Sequence, residues 1–216
     1  MEQNQNLAEL RTVVVSGVTS GSGKTSLAVA VISYLRQTTA VSAAKLTVTH
    51  GDRGCPHGGK GCNVCSSLGG DYQIISRFET IAQKDTDTAR FLEAGAAKVL
   101  WGITRDVSIG AMWEEMARSF TRNECVVIES NTLALTIKPT LNIMIVDPTV
   151  SRRLWKPSAV SLISSADIVI FNDRGELTAV RDEVARLRRE GEVILLANPA
   201  EAAANPKVQA YLNRVV

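Results

Sequence analysis

Residues 17–25 read Gly17-Val18-Thr19-Ser20-Gly21-Ser22-Gly23-Lys24-Thr25. An apolar run with three valines precedes them and predicts a strand over residues 12–16 that is buried on both faces. Apolar residues at helical spacing come next and predict a helix over residues 24–37. At such a junction, glycines let backbone N–H groups converge on one anion at the positive end of the new helix. Residues 17–25 therefore predict a phosphate-binding loop.

The side chains at the end of this loop predict parts of a nucleotide site. Lys24 is expected to bridge the terminal phosphates and to act catalytically, by neutralising charge that develops if a phosphoryl group is transferred. The Thr25 hydroxyl is expected to coordinate Mg²⁺, with Ser26 as a weaker helper. The strict Walker pattern needs a glycine at position 18, so this loop is a variant. The candidate residues for binding GTP or ATP are Thr19, Ser20, Gly21, Ser22, Gly23, Lys24, Thr25 and Ser26.

Two carboxylates are candidates to complete the magnesium site. Glu129 ends an apolar run, so its carboxylate is expected at the C-terminal edge of a buried strand, where open α/β sheets bind ligands. It is the second candidate catalytic residue beside Lys24. Asp87 precedes a predicted helix, where it could coordinate Mg²⁺ or cap the helix. Asn172 follows another apolar run and could present its amide to a nucleotide base or form a turn.

Residues 50–70 differ in composition from the rest of the chain. They hold seven of the fifteen glycines together with Cys55, His57, Cys62 and Cys65. Two thiolates at Cys-x-x-Cys spacing can grip one tetrahedral ion, so the pattern is typical of a zinc site with three thiolates and one imidazole. Such an ion could be structural or cargo, the thiols could form a redox pair, or the loop could bind no metal. We expect a functional loop inserted in one domain over residues 1–216.

Composition and charge narrow the class of protein. The 216 residues suffice for one sizeable α/β domain, and 45% hydrophobic content can cover a sheet on both faces. The net charge is +2, so no general attraction to nucleic acid or to membranes is expected. The N-terminus lacks a signal-like pattern and no apolar run is long enough to span a bilayer, which indicates a cytoplasmic protein.

Strand-length apolar runs alternate with helix-length amphipathic stretches along the chain. With the phosphate loop, this order predicts an α/β, three-layer P-loop NTPase fold with a mostly parallel sheet flanked by helices. Further strands are predicted over residues 41–49, 72–76, 98–103, 126–130, 141–147, 167–171 and 193–197. Further helices are predicted over residues 86–94, 109–122, 177–189 and 206–215. The stretch around Pro148 and Pro157 is expected to be rich in turns.

Three stretches resemble the MobB family, the P-loop adapter proteins of molybdopterin guanine dinucleotide biosynthesis. They are the loop ending in Gly23-Lys24-Thr25, the segment Asp87-Thr88-Ala89-Arg90 with Ala94-Gly95-Ala96, and the strand end Val127-Ile128-Glu129. The resemblance covers residues 10–175 and implies GTP binding with Mg²⁺, slow hydrolysis, a homodimer and a partner biosynthetic enzyme. Residues 130–131, the cysteine-rich insertion and the longer tail depart from the family pattern.

Two other functions remain open. The five residues between Gly17 and Gly23 resemble the loop of dethiobiotin synthetase and of the cobyrinate amidation enzymes. That resemblance implies an ATP-dependent ligase that phosphorylates a carboxylate. The cysteine-rich loop indicates a metallochaperone NTPase instead, which delivers an ion under nucleotide control. No Asn-Lys-x-Asp run of the common GTPase type is present, so the sequence does not decide between guanine and adenine.

Overall fold

The computed structural model describes residues 10–49, 68–172, 178–188 and 191–216. Its strands are β1 (Arg11–Gly17), β2 (Val41–Thr49), β3 (Tyr72–Ile75), β4 (Val99–Arg105), β5 (Cys125–Glu129), β6 (Leu141–Val146), β7 (Ile168–Asn172) and β8 (Glu192–Leu196). Within the described ranges they form one sheet in the order β3-β4-β2-β5-β1-β6-β7-β8. Every neighbouring pair is parallel except β3 and β4, which are antiparallel at one edge.

Helices cover both faces of this sheet. They are α1 (Lys24–Leu35), α2 (Phe78–Ile81), α3 (Asp87–Glu93), α4 (Ile109–Ala117), α5 (Pro157–Ser165), α6 (Thr178–Leu187) and α7 (Pro206–Leu212). Buried residues of α1, α3 and α7 share one apolar cluster with Val13 and Val15 of β1. Buried residues of α4 form a second cluster with Val14, and those of α5 and α6 form a third. Because successive strand residues face opposite sides, these clusters define three layers and confirm the predicted fold class.

The central strand β1 determines where a ligand can bind. It lies between β5 and β6, and its residues from Thr12 onward are buried. From β1 the chain first builds the strands on the β5 side and later those on the β6 side. Open α/β sheets bind ligands beyond the carboxyl ends of the strands, where the strand order reverses. The loop after Gly17 lies at this edge.

The prediction of a turn-rich stretch was correct around Pro148, where the Val150 amide donates to the Asp147 carbonyl oxygen, but it was wrong around Pro157, because α5 begins at this proline. Proline is favourable at the first helical position, where its missing N–H would have no intrahelical acceptor. Ala159, Leu162 and Ile163 then recur at helical spacing and are fully buried. The helical period was therefore present in the sequence, but it was too short to stand out beside the prolines.

Two helix ends also differ from the prediction. The capping residue of α3 is Thr86, whose hydroxyl oxygen accepts a hydrogen bond from the Ala89 amide at 3.2 Å. Asp87 is the first helical residue, so its side chain is free to point elsewhere. Helix α4 ends at Ala117 instead of residue 122, because a tight turn brings the Phe120 amide within 3.1 Å of the Ala117 carbonyl oxygen.

Among the described residues, no helix combines the length and the hydropathy that crossing a membrane requires.

Candidate phosphate and magnesium site

The phosphate loop lies between the end of β1 and the start of α1. Its first amides bond outward: Gly17 N donates to Asn131 Oδ1 at 3.1 Å and Val18 N donates to the Ile145 carbonyl at 3.2 Å. Gly23 is the capping residue of α1, with φ at 100°, and no side chain in the described part of the chain caps the helix. The N–H groups of the first turn of α1 therefore remain available to an anion.

Lys24 closes this loop from within. Its Nζ donates to the Thr19 carbonyl oxygen at 2.7 Å, and Ser22 Oγ donates to the same oxygen at 3.1 Å. Burial lowers the pKa of Lys24 to about 8, although the charge of Glu129 acts in the opposite direction. A buried ammonium that donates to a neutral carbonyl would gain from a charged acceptor, such as a phosphate oxygen.

Thr25 and Glu129 meet at the mouth of the loop. Thr25 Oγ1 donates to Glu129 Oε2 at 2.8 Å, and the Glu129 residue is only 6% exposed. Asp87 approaches the same place from the first turn of α3, where its Oδ2 accepts a hydrogen bond from Lys45 Nζ. Burial acts to raise the pKa of Asp87, but the hydrogen bond and charge of Lys45 outweigh it and hold that pKa below its usual value. The structure thus brings together the three residues that the sequence predicted for Mg²⁺.

The donor set fits magnesium. Hydroxyl and carboxylate oxygens are hard ligands, and Mg²⁺ is usually held by one or two carboxylates together with substrate phosphates. Within the described ranges, no group of three or more His, Cys, Asp or Glu side chains could hold a metal by itself. A metal beside Glu129 and Asp87 would therefore depend on the Thr25 hydroxyl and on ligands from a bound phosphate.

A cavity of about 700 Å³ opens beside the loop, a volume typical of small-molecule sites. Three of its basic residues carry no prediction from the sequence: Lys45, Arg90 and Lys156. Arg90 Nη2 donates to Ser26 Oγ at 3.1 Å, and the Lys156 amide donates to the Val18 carbonyl at 2.9 Å. Burial lowers the pKa of Lys156, while the charge of Glu129 opposes this effect.

Sequence signals for two of these residues existed. Lys45 is the one charged residue inside the strand pattern of residues 41–49, and a charge in a buried strand requires a partner. Arg90 lies three residues after Asp87, so a helix places both side chains on one face. Lys156 precedes Pro157 and had no comparable signal, because the helix that begins there was not predicted.

Asn172 lies beneath the loop instead of at its open side. The residue is fully buried, and its Nδ2 donates to the Ser22 carbonyl oxygen at 3.3 Å. Within the described part of the chain its Oδ1 has no hydrogen-bond partner. The contact seen here supports the loop from below, and the buried amide is not accessible to a base in this conformation.

The expected zinc residues Cys55, His57, Cys62 and Cys65 lie outside the described residues. The remaining cysteine, Cys125, is a fully buried free thiol in β5. Burial raises its pKa to about 12. Cys125 therefore belongs to the apolar core, and the structure gives it no part in metal binding.

No protein-family model and no curated protein sequence matches this chain. Its structure is similar to the hydrogenase maturation factor HypB from Archaeoglobus fulgidus, with a TM-score of 0.55 and 13% identity over 98% of this chain and 92% of that chain. HypB from Helicobacter pylori in complex with nickel has a TM-score of 0.53 and 13% identity, over 98% of this chain and 88% of that chain. A chain of the Aquifex aeolicus MinC:MinD cell division protein complex has a TM-score of 0.40 and 14% identity, over 95% of this chain and 86% of that chain. The two HypB structures establish the P-loop NTPase fold, and none of these comparisons identifies a member of the MobB family.

Proposed function

We propose that this chain binds a nucleoside triphosphate with Mg²⁺, hydrolyses it slowly and uses the change of bound nucleotide to control its contact with a partner enzyme. The observation that carries the proposal is the 2.8 Å hydrogen bond between Thr25 and Glu129 at the mouth of the phosphate loop. It joins the hydroxyl at the start of α1 to a buried carboxylate at the end of β5. The P-loop NTPase fold supports the same assignment.

Some residues of the site would bind the phosphates and others would bind Mg²⁺. The first turn of α1 and Lys24 would hold the phosphate oxygens, and Lys24 would exchange the Thr19 carbonyl for a charged acceptor. Thr25, Asp87 and Glu129 would hold Mg²⁺, which when bound neutralises phosphate charge and aligns the terminal phosphate. With Mg²⁺ bound, both carboxylates would be occupied by the metal, so neither would be free to activate water. This engagement favours slow turnover.

The motif resemblance to the MobB family supports a finer proposal. It favours GTP as the nucleotide, a homodimer of single-domain chains and a cytoplasmic role as adapter. The partner would be the biosynthetic enzyme that attaches guanine nucleotide to the molybdenum cofactor. Asp87 and Arg90 belong to the resembling segment, and both side chains line the cavity beside the loop.

Thermal unfolding with GTP or ATP, each with Mg²⁺, tests the nucleotide assignment. A bound nucleotide raises the unfolding temperature, and Lys24→Ala is expected to abolish that rise because it removes the phosphate contact. Lys207→Ala serves as the control, because Lys207 pairs with Glu192 on the exposed surface. A response to ATP alone would favour the ligase. No response to either nucleotide, or an unchanged response in Lys24→Ala, would contradict the proposal.

A metallochaperone is the second candidate function. Cys55, His57, Cys62 and Cys65 come after β2 in the sequence, and β2 carries Lys45 into the site. The H. pylori HypB of the same fold was solved in complex with nickel. If the chain is a metallochaperone, protein purified without added metal should bind about one equivalent of Zn²⁺ or Ni²⁺ when the metal is then supplied. A Cys62→Ser/Cys65→Ser variant should not. Equal metal content in both proteins would refute it.

A further inference from the structure

Lys45 is a charged residue in the interior of strand β2. Its neighbours on either side, Ala44 and Leu46, are buried, and the Lys45 side chain is only 22% exposed. In the parallel pairing of β2 with β5, Lys45 lies directly opposite Glu129. Burying a lysine in this way is costly unless opposite charges accompany it. The strand therefore holds this ammonium at one fixed place in the site.

That place is between the two carboxylates assigned to magnesium. Lys45 Nζ is hydrogen-bonded to Asp87 Oδ2 and lies 3.6 Å from Glu129 Oε1. The other oxygen of Glu129 accepts the hydrogen bond from Thr25. The ammonium thus contacts the ligands that Mg²⁺ would need, and two cations cannot occupy the same position.

Two of the other cations of the site donate their hydrogen bonds elsewhere. Lys24 donates to the Thr19 carbonyl and Arg90 donates to Ser26 Oγ. The side chains of Asp87 and Glu129 are 34% and 8% exposed, so water screens the negative charge of Glu129 poorly. Of the described residues, Lys45 is the one whose ammonium pairs with both.

We propose that Lys45 is a built-in counter-ion that holds Asp87 and Glu129 in the metal-free protein, and that Mg²⁺ displaces it only when a nucleotide's phosphates arrive with the metal. This inference rests on the proposed nucleotide function. A tethered ammonium competes at a high effective concentration, so free Mg²⁺ binds poorly. Phosphate oxygens supply further ligands for the metal and new negative charge for the released ammonium. The site thereby distinguishes nucleotide-bound magnesium from free magnesium.

The test measures thermal unfolding against Mg²⁺ concentration without nucleotide. The wild type is expected to show no shift at millimolar Mg²⁺. Lys45→Met removes the competing charge, and Mg²⁺ should then raise its unfolding temperature by about 3 °C or more. Lys45→Arg should behave like the wild type, because it keeps the charge. The double variant Lys45→Met/Asp87→Asn should lose the shift, because it removes one ligand, and Lys207→Met controls for loss of an exposed lysine.

Each outcome decides the question. A shift in the wild type as large as in Lys45→Met, or no shift in Lys45→Met, would show that Lys45 forms an ordinary structural ion pair. If Lys45→Met folds only with Mg²⁺, that rescue supports the proposal. If it does not fold at all, Lys45→Gln takes its place, and the wild-type titration still overturns the proposal if Mg²⁺ alone stabilises the protein. Because the Mg²⁺ titration contains no nucleotide, its result can be interpreted whether or not the Lys24→Ala test supports nucleotide binding.

Discussion

Glu129 connects the phosphate loop to the sheet through a single side chain. Its carboxylate is buried and accepts a hydrogen bond from the Thr25 hydroxyl, and the residue lies opposite Lys45 of the neighbouring strand β2. We expect Glu129→Gln to lower the affinity for Mg²⁺ with GTP by about tenfold or more, since hydrogen bonds to a charged group contribute about 1.5–3 kcal/mol. Isothermal titration with and without EDTA measures this loss, which should disappear when Mg²⁺ is removed.

Glu124 offers a matched control just before the opposite end of the same strand. It is also buried, and its carboxylate accepts hydrogen bonds from Ser42 Oγ and from the Thr121 amide. Glu124→Gln should lower the free energy of unfolding but leave the magnesium dependence of binding unchanged. Equal effects of the two substitutions on nucleotide affinity would show that Glu129 contributes only to stability.

Single residues show how much of this site was predictable from the sequence. Lys24, Thr25 and Glu129 were predictable, because each stands at a strand end or a helix start that the local pattern defines. Lys45 could be recognised as a charge that needs a partner, but its pairing with Glu129 was not predictable, because that pairing depends on β2 and β5 being neighbours in one register. The chain between these strands contains two other strands, and no local pattern determines their order in the sheet.

The loop between β1 and α1 has two glycines with positive φ whose surroundings differ. A Cβ at Gly23 would lie 2.9 Å from Pro199 Cγ and 3.1 Å from Ile145 Cδ1, whereas a Cβ at Gly21 would meet open space. Gly21→Ala is expected to cost only the left-handed strain, about 1–2 kcal/mol. Gly23→Ala should cost more than that and should also weaken nucleotide binding, because the cap of α1 must shift.

Urea unfolding and nucleotide titration of both variants check this prediction. The larger loss of stability and of affinity belongs to Gly23→Ala. If Gly21→Ala is the more damaging change, the contact of Gly23 with Pro199 and Ile145 does not support the loop.

Helices illustrate a different limit of sequence reasoning. Helix α1 was predicted to within two residues at its C-terminus, because its apolar period comes after a strong strand and loop signal. Helix α5 was missed, because Pro148 and Pro157 suggested turns and the helix has only nine residues. Proline marks the first residue of α5 and the first residue of α7 alike, so its meaning depends on the residues after it.

At the scale of the whole molecule, the C-terminal segment completes the core next to the phosphate loop. Leu212 of α7 is fully buried in the same apolar cluster as Leu27 and Val31 of α1. Leu212→Ala is expected to lower the free energy of unfolding by about 2–5 kcal/mol, as is typical of buried leucines. The matched change Leu195→Ala should cost less, because Leu195 is 39% exposed on β8.

Chemical denaturation of both leucine variants measures the difference. Comparable losses would mean that α7 is only loosely attached to the rest of the chain. The resemblance to MobB ended at residue 175, so no sequence signal connected the tail with the nucleotide site. The structure joins them, because Pro199 lies against Gly23 and the tail packs on α1.

The position of β1 in the sheet also has a consequence during translation. This strand and its loop leave the ribosome well before the strands with which β1 pairs, because β5 and β6 end at Glu129 and Val146. Asn172 and Pro199, which support the loop, are synthesised later still. The nascent chain therefore cannot complete its phosphate-binding loop until residue 199 has been made, and the apolar strand β1 is exposed to chaperones throughout that delay.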